Sequence, residues 1–129
     1  MKKSLLSVVA VFAFVGVSLV QAEVLPASAD VKQVAESQAR GVYLLDVREP
    51  DEFAEVHAKG AVLIPLGQLS SRLDEIAQYK NKPVAVICRS GRRSAQGVEI
   101  LRKAGFTQLS NVTGGTSAWV DAGLPVIRK

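Results

Sequence analysis

A short apolar run that leads through a polar loop into a helical pattern restricts the possible folds of this chain more than any other feature. The run 84–87 follows Pro83 and contains two Val and one Ile, so it predicts a buried strand. From Ser94 onward, apolar side chains recur at helical spacing. The segment 88–93 therefore joins the end of a buried strand to the start of a helix, as in sheets of parallel strands.

Strand and helix patterns alternate along the rest of the chain. Strands are predicted at 42–47, 60–65 and near 107–112, and helices from the cap Asp30 to about Ala39, from Pro50, across about 68–77 and after Gly114-Gly115. This alternation predicts an α/β fold, in which a central parallel sheet has helices on both faces. Ligands of such sheets bind beyond the carboxyl ends of the strands, and Cys88 lies at one of those ends.

The first 22 residues have the composition of an export signal rather than of a folded element. A positively charged start precedes a nearly continuous apolar stretch, 5–20, and a small-residue cleavage signal at 20–22. We therefore expect 1–22 to be a secretory signal peptide and 23–129 to be a single domain. An uncleaved anchor is the alternative, because the apolar stretch approaches the length of a membrane span.

The balance of charge argues against a nucleic-acid partner. The formal net charge of +4 falls to +2 when Lys2 and Lys3 leave with the signal peptide. We expect a periplasmic protein with no membrane attachment after cleavage. We also expect no metal, because one His and one Cys do not make a metal site.

Cys88 is the only cysteine of the chain, so the exported protein has no internal disulfide and keeps a thiol. The thiol lies where a helix begins, close to Arg89, Arg92 and Arg93. Both the helix N-terminus and the guanidinium groups favour an anion. A buried cysteine that acts only as a small apolar side chain is the alternative. That alternative gives no role to the arginines or to Gly91, whose backbone freedom suits a tight loop, so we expect a reactive thiolate.

Four motifs, in this order, resemble the rhodanese family and in particular its single-domain exported members. They are 46–50 with Glu52-Phe53, 57–61 with Ile64-Pro65, the loop 88–94, and a closing segment with Asn111-Val112, Gly114-Gly115, Trp119 and 123–125. The likeness covers nearly all of 23–129. Ala58 departs from the pattern, since the family often has a larger aliphatic residue there. The resemblance implies a rhodanese-like α/β fold.

The resemblance also implies transfer of sulfane sulfur from a small donor such as thiosulfate, with no cofactor. Cys88 corresponds to the family's nucleophile, which takes the sulfur as a persulfide and passes it to cyanide, to a thiol or to a protein acceptor. The loop amides are expected to face the sulfur, and the arginines to hold the sulfonate, Arg92 and Arg93 before Arg89. The predicted substrate-binding residues are Arg89, Ser90, Gly91, Arg92 and Arg93.

The remaining candidates receive supporting roles. Ser94 is predicted to cap the helix rather than to act in catalysis. In the family, the counterparts of Asp46 and Arg48 brace the loop through ion pairs, and the counterpart of His57 lies in a structural turn. Trp119 is predicted to be part of the core or of a pocket wall.

Three other functions compete with sulfurtransfer from thiosulfate. A Cys-x5-Arg phosphatase or arsenate reductase is disfavoured by spacing, because position 94 is Ser and Arg93 comes one residue early. A persulfide carrier that exchanges sulfur with a partner protein would use the same chemistry at Cys88. A domain that binds without reacting is disfavoured by the intact cysteine and its arginine-rich loop.

Overall fold

The computed structural model describes residues 25–129, and the predicted signal peptide, 1–22, lies outside the described residues. Strands and helices follow in the order β1 (Ser28–Ala29), α1 (Val31–Gln38), β2 (Tyr43–Asp46), α2 (Pro50–Glu55), β3 (Val56–Ala58), β4 (Val62–Leu63), α3 (Leu66–Leu69), a 3-10 helix (Leu73–Tyr79), β5 (Val84–Ile87), α4 (Arg92–Lys103), β6 (Leu109–Val112), α5 (Gly115–Asp121) and β7 (Val126–Arg128). Within 25–129, no helix combines the length and apolarity that crossing a bilayer requires.

Five strands form one parallel sheet in the order β1-β6-β5-β2-β4. β5 lies at its centre, between β2 and β6, and all of its residues are buried. Parallel neighbours cannot be joined by tight turns, so the chain crosses over between them through helices. The structure therefore confirms the predicted α/β fold with a central parallel sheet and helices around it.

Two apolar clusters fill the space between the sheet and its helices. Side chains alternate along β5, so Val86 and Cys88 belong to one cluster and Ala85 and Ile87 to the other. The first cluster takes residues from α3, α4 and the 3-10 helix, and the second takes them from α1 and α5. Cys88 thus continues one apolar face of the central strand to its carboxyl end.

Two parts of the fold differ from the prediction. The helix expected across 68–77 is divided into α3 and the 3-10 helix. Ser71 lies at the break, where its hydroxyl donates to the Gln68 carbonyl at 2.9 Å, and such bonds to the backbone compete with a continuous helix. The second difference is an antiparallel sheet formed by β3 and β7, which local sequence patterns do not predict because the two short strands are far apart in the chain.

Candidate active site around Cys88

Cys88 immediately follows β5, at the carboxyl end of the central strand. Only 1% of the residue is exposed. Gly91 has a φ of +115°, in the left-handed region that favours glycine, and its N–H donates to the Cys88 Sγ at 3.0 Å. Because Gly91 is also the N-cap of α4, the loop turns back over the sulfur at the point where the helix begins.

Hydrogen bonds around the sulfur favour its ionised form. Burial raises the pKa of the Cys88 thiol, but it is outweighed by the Ser94 hydroxyl, when its hydrogen turns to the sulfur, and by the amides of Ser94, Gly91 and Ser90. The pKa therefore lies below that of an ordinary cysteine. Since the thiolate is the nucleophilic form, the lowered pKa increases the fraction of Cys88 that is present as a nucleophile.

Ser94 lies inside the first turn of α4, so the prediction that it caps the helix is wrong. Gly91 takes the N-cap position, and Ser94 is fully buried. Its Oγ lies 3.2 Å from the Cys88 Sγ and donates to the Asn111 Oδ1 at 2.5 Å. The Asn111 amide nitrogen donates to the Gly91 carbonyl at 3.1 Å. Asn111 comes from β6, and no signal near Cys88 in the sequence predicts that it reaches the loop.

The start of α5 holds the thiol loop by its carbonyl groups. The Thr116 N–H and hydroxyl both donate to the Cys88 carbonyl, at 2.8 and 3.0 Å. The Ser117 N–H donates to the Arg89 carbonyl at 3.1 Å. A Cβ at Gly115 would meet these same two carbonyl oxygens at 2.5 Å. Glycine is therefore required there for α5 to approach the loop.

Asp46 and Arg48 form a buried ion pair at the end of β2, next to β5. The Arg48 Nε and Nη2 donate to the two Asp46 carboxylate oxygens at 2.8 to 3.1 Å. Nη2 also donates to the Val56 carbonyl at 2.8 Å, and Nη1 donates to the Glu52 carbonyl at 3.4 Å. Both predicted supporting residues thus tie the end of β2 to α2 and β3.

The three loop arginines have different environments. Arg93 forms a bidentate pair with Glu52 of α2, at 2.6 and 2.9 Å. This hydrogen bonding lowers the pKa of Glu52 to about 2, although partial burial acts in the opposite direction. Arg92 is exposed, and Arg89 is exposed and lines a cavity beside the loop. The structure therefore gives Arg89, rather than Arg92, a place in the cavity wall.

The cavity beside the thiol loop has a volume of about 350 Å³. Residues of α2, β3 and α5 form its walls together with Arg48 and Arg89. Its lining carries both signs of charge, because Glu52 and Asp121 contribute as well. Cys88 does not line this cavity, so the cavity adjoins the loop through Arg89 instead of containing the sulfur.

His57 and Trp119 have structural positions. The His57 ring stacks on Phe53 with ring centroids 3.7 Å apart, and its Nδ1 forms a hydrogen bond with the Phe53 carbonyl at 2.7 Å. Trp119 is 1% exposed and its Nε1 donates to the Pro125 carbonyl at 2.8 Å. Within the part of the chain that the structure describes, no three His, Cys, Asp or Glu side chains cluster as metal ligands would.

A thiol in a cradle of N–H groups, at the carboxyl end of a parallel sheet, defines a class of α/β proteins whose chemistry depends on one cysteine. The family model of the rhodanese-like domain matches residues 30–122, which is most of the chain. The protein belongs to the rhodanese-like domain family, in which sulfurtransferases and sulfur carriers are found.

Two relatives and one solved structure illustrate the likeness. The thiosulfate sulfurtransferase PspE of Escherichia coli (strain K12) is 39% identical over 70 residues, which cover 54% of this chain and 67% of PspE. YrkF of Bacillus subtilis (strain 168), provisionally named a sulfur carrier protein, is 40% identical over 76 residues, which cover 59% of this chain and 40% of YrkF. The crystal structure of a rhodanese-related protein from Thermoplasma volcanium matches with a TM-score of 0.71 and 31% identity, covering 81% of this chain and 100% of that one.

Proposed function

We propose that the protein is a thiosulfate sulfurtransferase that carries sulfane sulfur as a persulfide on Cys88. The observation that carries this proposal is the set of hydrogen bonds around the buried sulfur, which lowers the pKa of the thiol. A thiolate is the form that attacks a sulfane sulfur. The likeness to the E. coli thiosulfate sulfurtransferase PspE supports thiosulfate as the donor.

The proposed cycle has two steps. In the first, the Cys88 thiolate forms a bond to the outer sulfur of thiosulfate, the sulfur–sulfur bond of thiosulfate breaks, and sulfite leaves with the electron pair. In the second, cyanide or a thiolate attacks the outer sulfur of the persulfide, and Cys88 leaves as a thiolate. The protein returns to its starting state with no net oxidation or reduction, so the cycle needs no cofactor.

The loop groups support both steps by stabilising negative charge. The amides of Ser90 and Gly91 favour an anionic sulfur at the end of β5. Arg89 and Arg93 lie on the loop and at the start of α4, where guanidinium groups suit the oxygens of thiosulfate and sulfite. Arg93 shares its charge with Glu52, so an incoming anion has to compete with that carboxylate.

A persulfide carrier that exchanges sulfur with a partner protein is the second candidate. The likeness to YrkF supports it. The exposed side chains of Arg89 and Arg92 also offer a charged rim to an acidic protein surface. The chemistry at Cys88 is the same in both candidates, which differ in the donor and acceptor of the sulfur.

Intact mass of the protein after brief exposure to thiosulfate tests the proposal, with Cys88→Ser as the control. We expect a gain of about 32 Da, one sulfur, that requires Cys88 and is discharged as thiocyanate when cyanide is added. If thiosulfate leaves the mass unchanged but a persulfidated protein donates sulfur to Cys88, the carrier function replaces the enzyme. If Cys88 takes sulfur neither from thiosulfate nor from a persulfidated protein, the protein is instead a domain that binds a partner without reacting.

We also propose that residues 1–22 direct export to the periplasm and are then removed, leaving 23–129. The positive start, the apolar stretch and the small-residue cleavage signal support this. Mass spectrometry of the protein from a periplasmic fraction should find a chain that begins at Glu23. A chain that keeps its N-terminus and sediments with membranes would support the anchor instead.

A further inference from the structure

Four groups around Cys88 form a closed ring of hydrogen bonds. They are the Cys88 Sγ, the Ser94 hydroxyl, the Asn111 side-chain amide and the backbone of Gly91. The Gly91 carbonyl can only accept, so the Asn111 nitrogen must face it. The amide oxygen of Asn111 therefore faces Ser94, and the orientation of the amide is fixed.

The Ser94 hydroxyl has one hydrogen, and it cannot serve both the Asn111 oxygen and an ionised Cys88 sulfur. The Asn111 Oδ1 can only accept, so it takes the single hydroxyl hydrogen of Ser94, at 2.5 Å. Ser94 then presents a lone pair to the Cys88 Sγ, 3.2 Å away, which suits a thiol that donates its S–H. A thiolate needs the opposite arrangement, because it must accept the hydrogen of Ser94. The Asn111 oxygen then loses its donor.

We propose that Asn111 is a positioning residue that competes with the Cys88 thiolate for the hydrogen of Ser94. Ser94 is fully buried and Asn111 is half-buried, so an Asn111 oxygen that loses its donor is partly shielded from water and carries a desolvation cost. Asn111 thus holds back the ionisation that the loop amides promote. The inference rests on the proposed function in one respect, which is that the thiolate is the attacking species.

The charged groups around Cys88 come from its own loop and from three elements; Arg89 of the loop and Arg92 of α4 are exposed. Arg93 lies on α4, and its pKa is raised first by the hydrogen bonds to Glu52 and to a smaller extent by the charge of Cys88. Glu52 on α2 has a pKa of about 2, and the buried Asp46–Arg48 pair lies at the end of β2. Among the described residues, the contacts of β6 and α5 with the loop are uncharged. A pH profile of Cys88 between weakly acidic and alkaline conditions therefore reports on the thiol.

The test is the pH profile of Cys88 alkylation by iodoacetamide in the wild-type protein and in Asn111→Leu. Leucine has the branched shape of asparagine, although it is larger, and it accepts no hydrogen bond, so it leaves the Ser94 hydrogen to the sulfur. We expect alkylation at acidic pH to be about fivefold faster, the factor that one hydrogen bond of ordinary strength contributes. If Asn111 only braces Gly91, loss of the brace draws the Gly91 N–H away from the sulfur and slows alkylation. Slower or unchanged alkylation overturns the proposal.

Two matched variants separate competition from a loosened loop. Asn111→Asp also loses the donor to Gly91 but keeps an acceptor for Ser94, so it should not accelerate alkylation. In a Ser94→Ala background, Asn111→Leu should not accelerate it either, because no hydroxyl hydrogen is left. Circular dichroism checks the fold. If the leucine variant does not fold, Asn111→Ala replaces it, and the proposal again predicts faster alkylation at acidic pH. Alkylation needs no sulfur donor, so this result is independent of whether thiosulfate loads the protein.

Discussion

Two arginine–carboxylate pairs lie close to Cys88, and they have similar geometry in different surroundings. The Arg48 and Asp46 side chains are 4% and 0% exposed, whereas those of Arg93 and Glu52 are 34% and 27% exposed. Arg48 also donates to two backbone carbonyls, so its charge is fixed within the fold. The difference in burial gives the two pairs different roles. The first pair is a structural clamp, and we expect the second, which is partly exposed, to be the pair that a substrate anion can open.

Asp46→Asn breaks the buried pair and should have the largest effect. The variant keeps the shape of the side chain but leaves the Arg48 charge buried without its partner, which costs about 3–5 kcal/mol of unfolding free energy. Chemical denaturation measures the loss. Glu52→Gln is the matched control, and its cost should be about 0.2–1 kcal/mol, as for other exposed pairs. Equal losses in the two variants would remove the distinction between clamp and displaceable pair.

Arg93→Met tests the exposed pair by its effect on substrate. If Arg93 holds thiosulfate, loss of its charge-assisted hydrogen bonds should raise the KM for thiosulfate about tenfold. The free energy of unfolding should change little. Steady-state kinetics with cyanide as acceptor measures the effect. Arg102→Met is the control, because Arg102 forms an exposed pair with Glu99 in the last turn of α4, away from the loop. A stability loss without a change in KM would make the Arg93 pair structural.

Glu52→Gln tests the exposed pair from the carboxylate side. Glutamine keeps the size of the side chain but removes the charge that competes for Arg93. We expect the KM for thiosulfate to fall about threefold, since an exposed pair is worth less than about 1 kcal/mol. The same kinetic assay measures it. A higher KM would show that Glu52 orients Arg93 for the substrate instead of competing with it.

The sequence predicts those parts of the molecule whose structure is determined by residues close together in the chain. The apolar run of β5 and the loop after it are contiguous, so the strand, Cys88 and the loop amides follow from neighbouring residues. The β3–β7 sheet pairs two strands from distant parts of the chain, and neither carries a strong strand pattern. Local reasoning therefore locates the central sheet and misses the small one.

The same limit applies to the site. Three residues contact the loop or the start of α4 from elements 17 to 41 residues away in the sequence: Asn111, Thr116 and Glu52. No motif next to Cys88 predicts these contacts. Ser94 is misassigned for a different reason. A serine before an apolar helical pattern is a common N-cap, but the left-handed Gly91 starts α4 earlier and turns Ser94 inward to the sulfur.

The smallest expected effect is the acid sensitivity of the exposed pair. Hydrogen bonds from Arg93 lower the pKa of Glu52 in the folded protein to about 2, against an ordinary value of 4.5. A carboxyl with a lowered folded pKa stabilises the fold above its unfolded pKa, and this contribution is lost as the pH falls through the folded value. The difference in unfolding free energy between wild type and Glu52→Gln should therefore be constant from neutral pH to about pH 5 and vanish near pH 2.

Because the pair is partly exposed, this difference should stay below about 1 kcal/mol and decrease further with added salt. Urea denaturation of both proteins across that pH range, at low and high ionic strength, measures it. If the difference in unfolding free energy persists below pH 2, or does not change with salt concentration, Glu52 contributes through packing and not through its charge. In that case an anion could not displace Glu52 without disturbing the fold, and the contrast with the Asp46–Arg48 clamp would be lost.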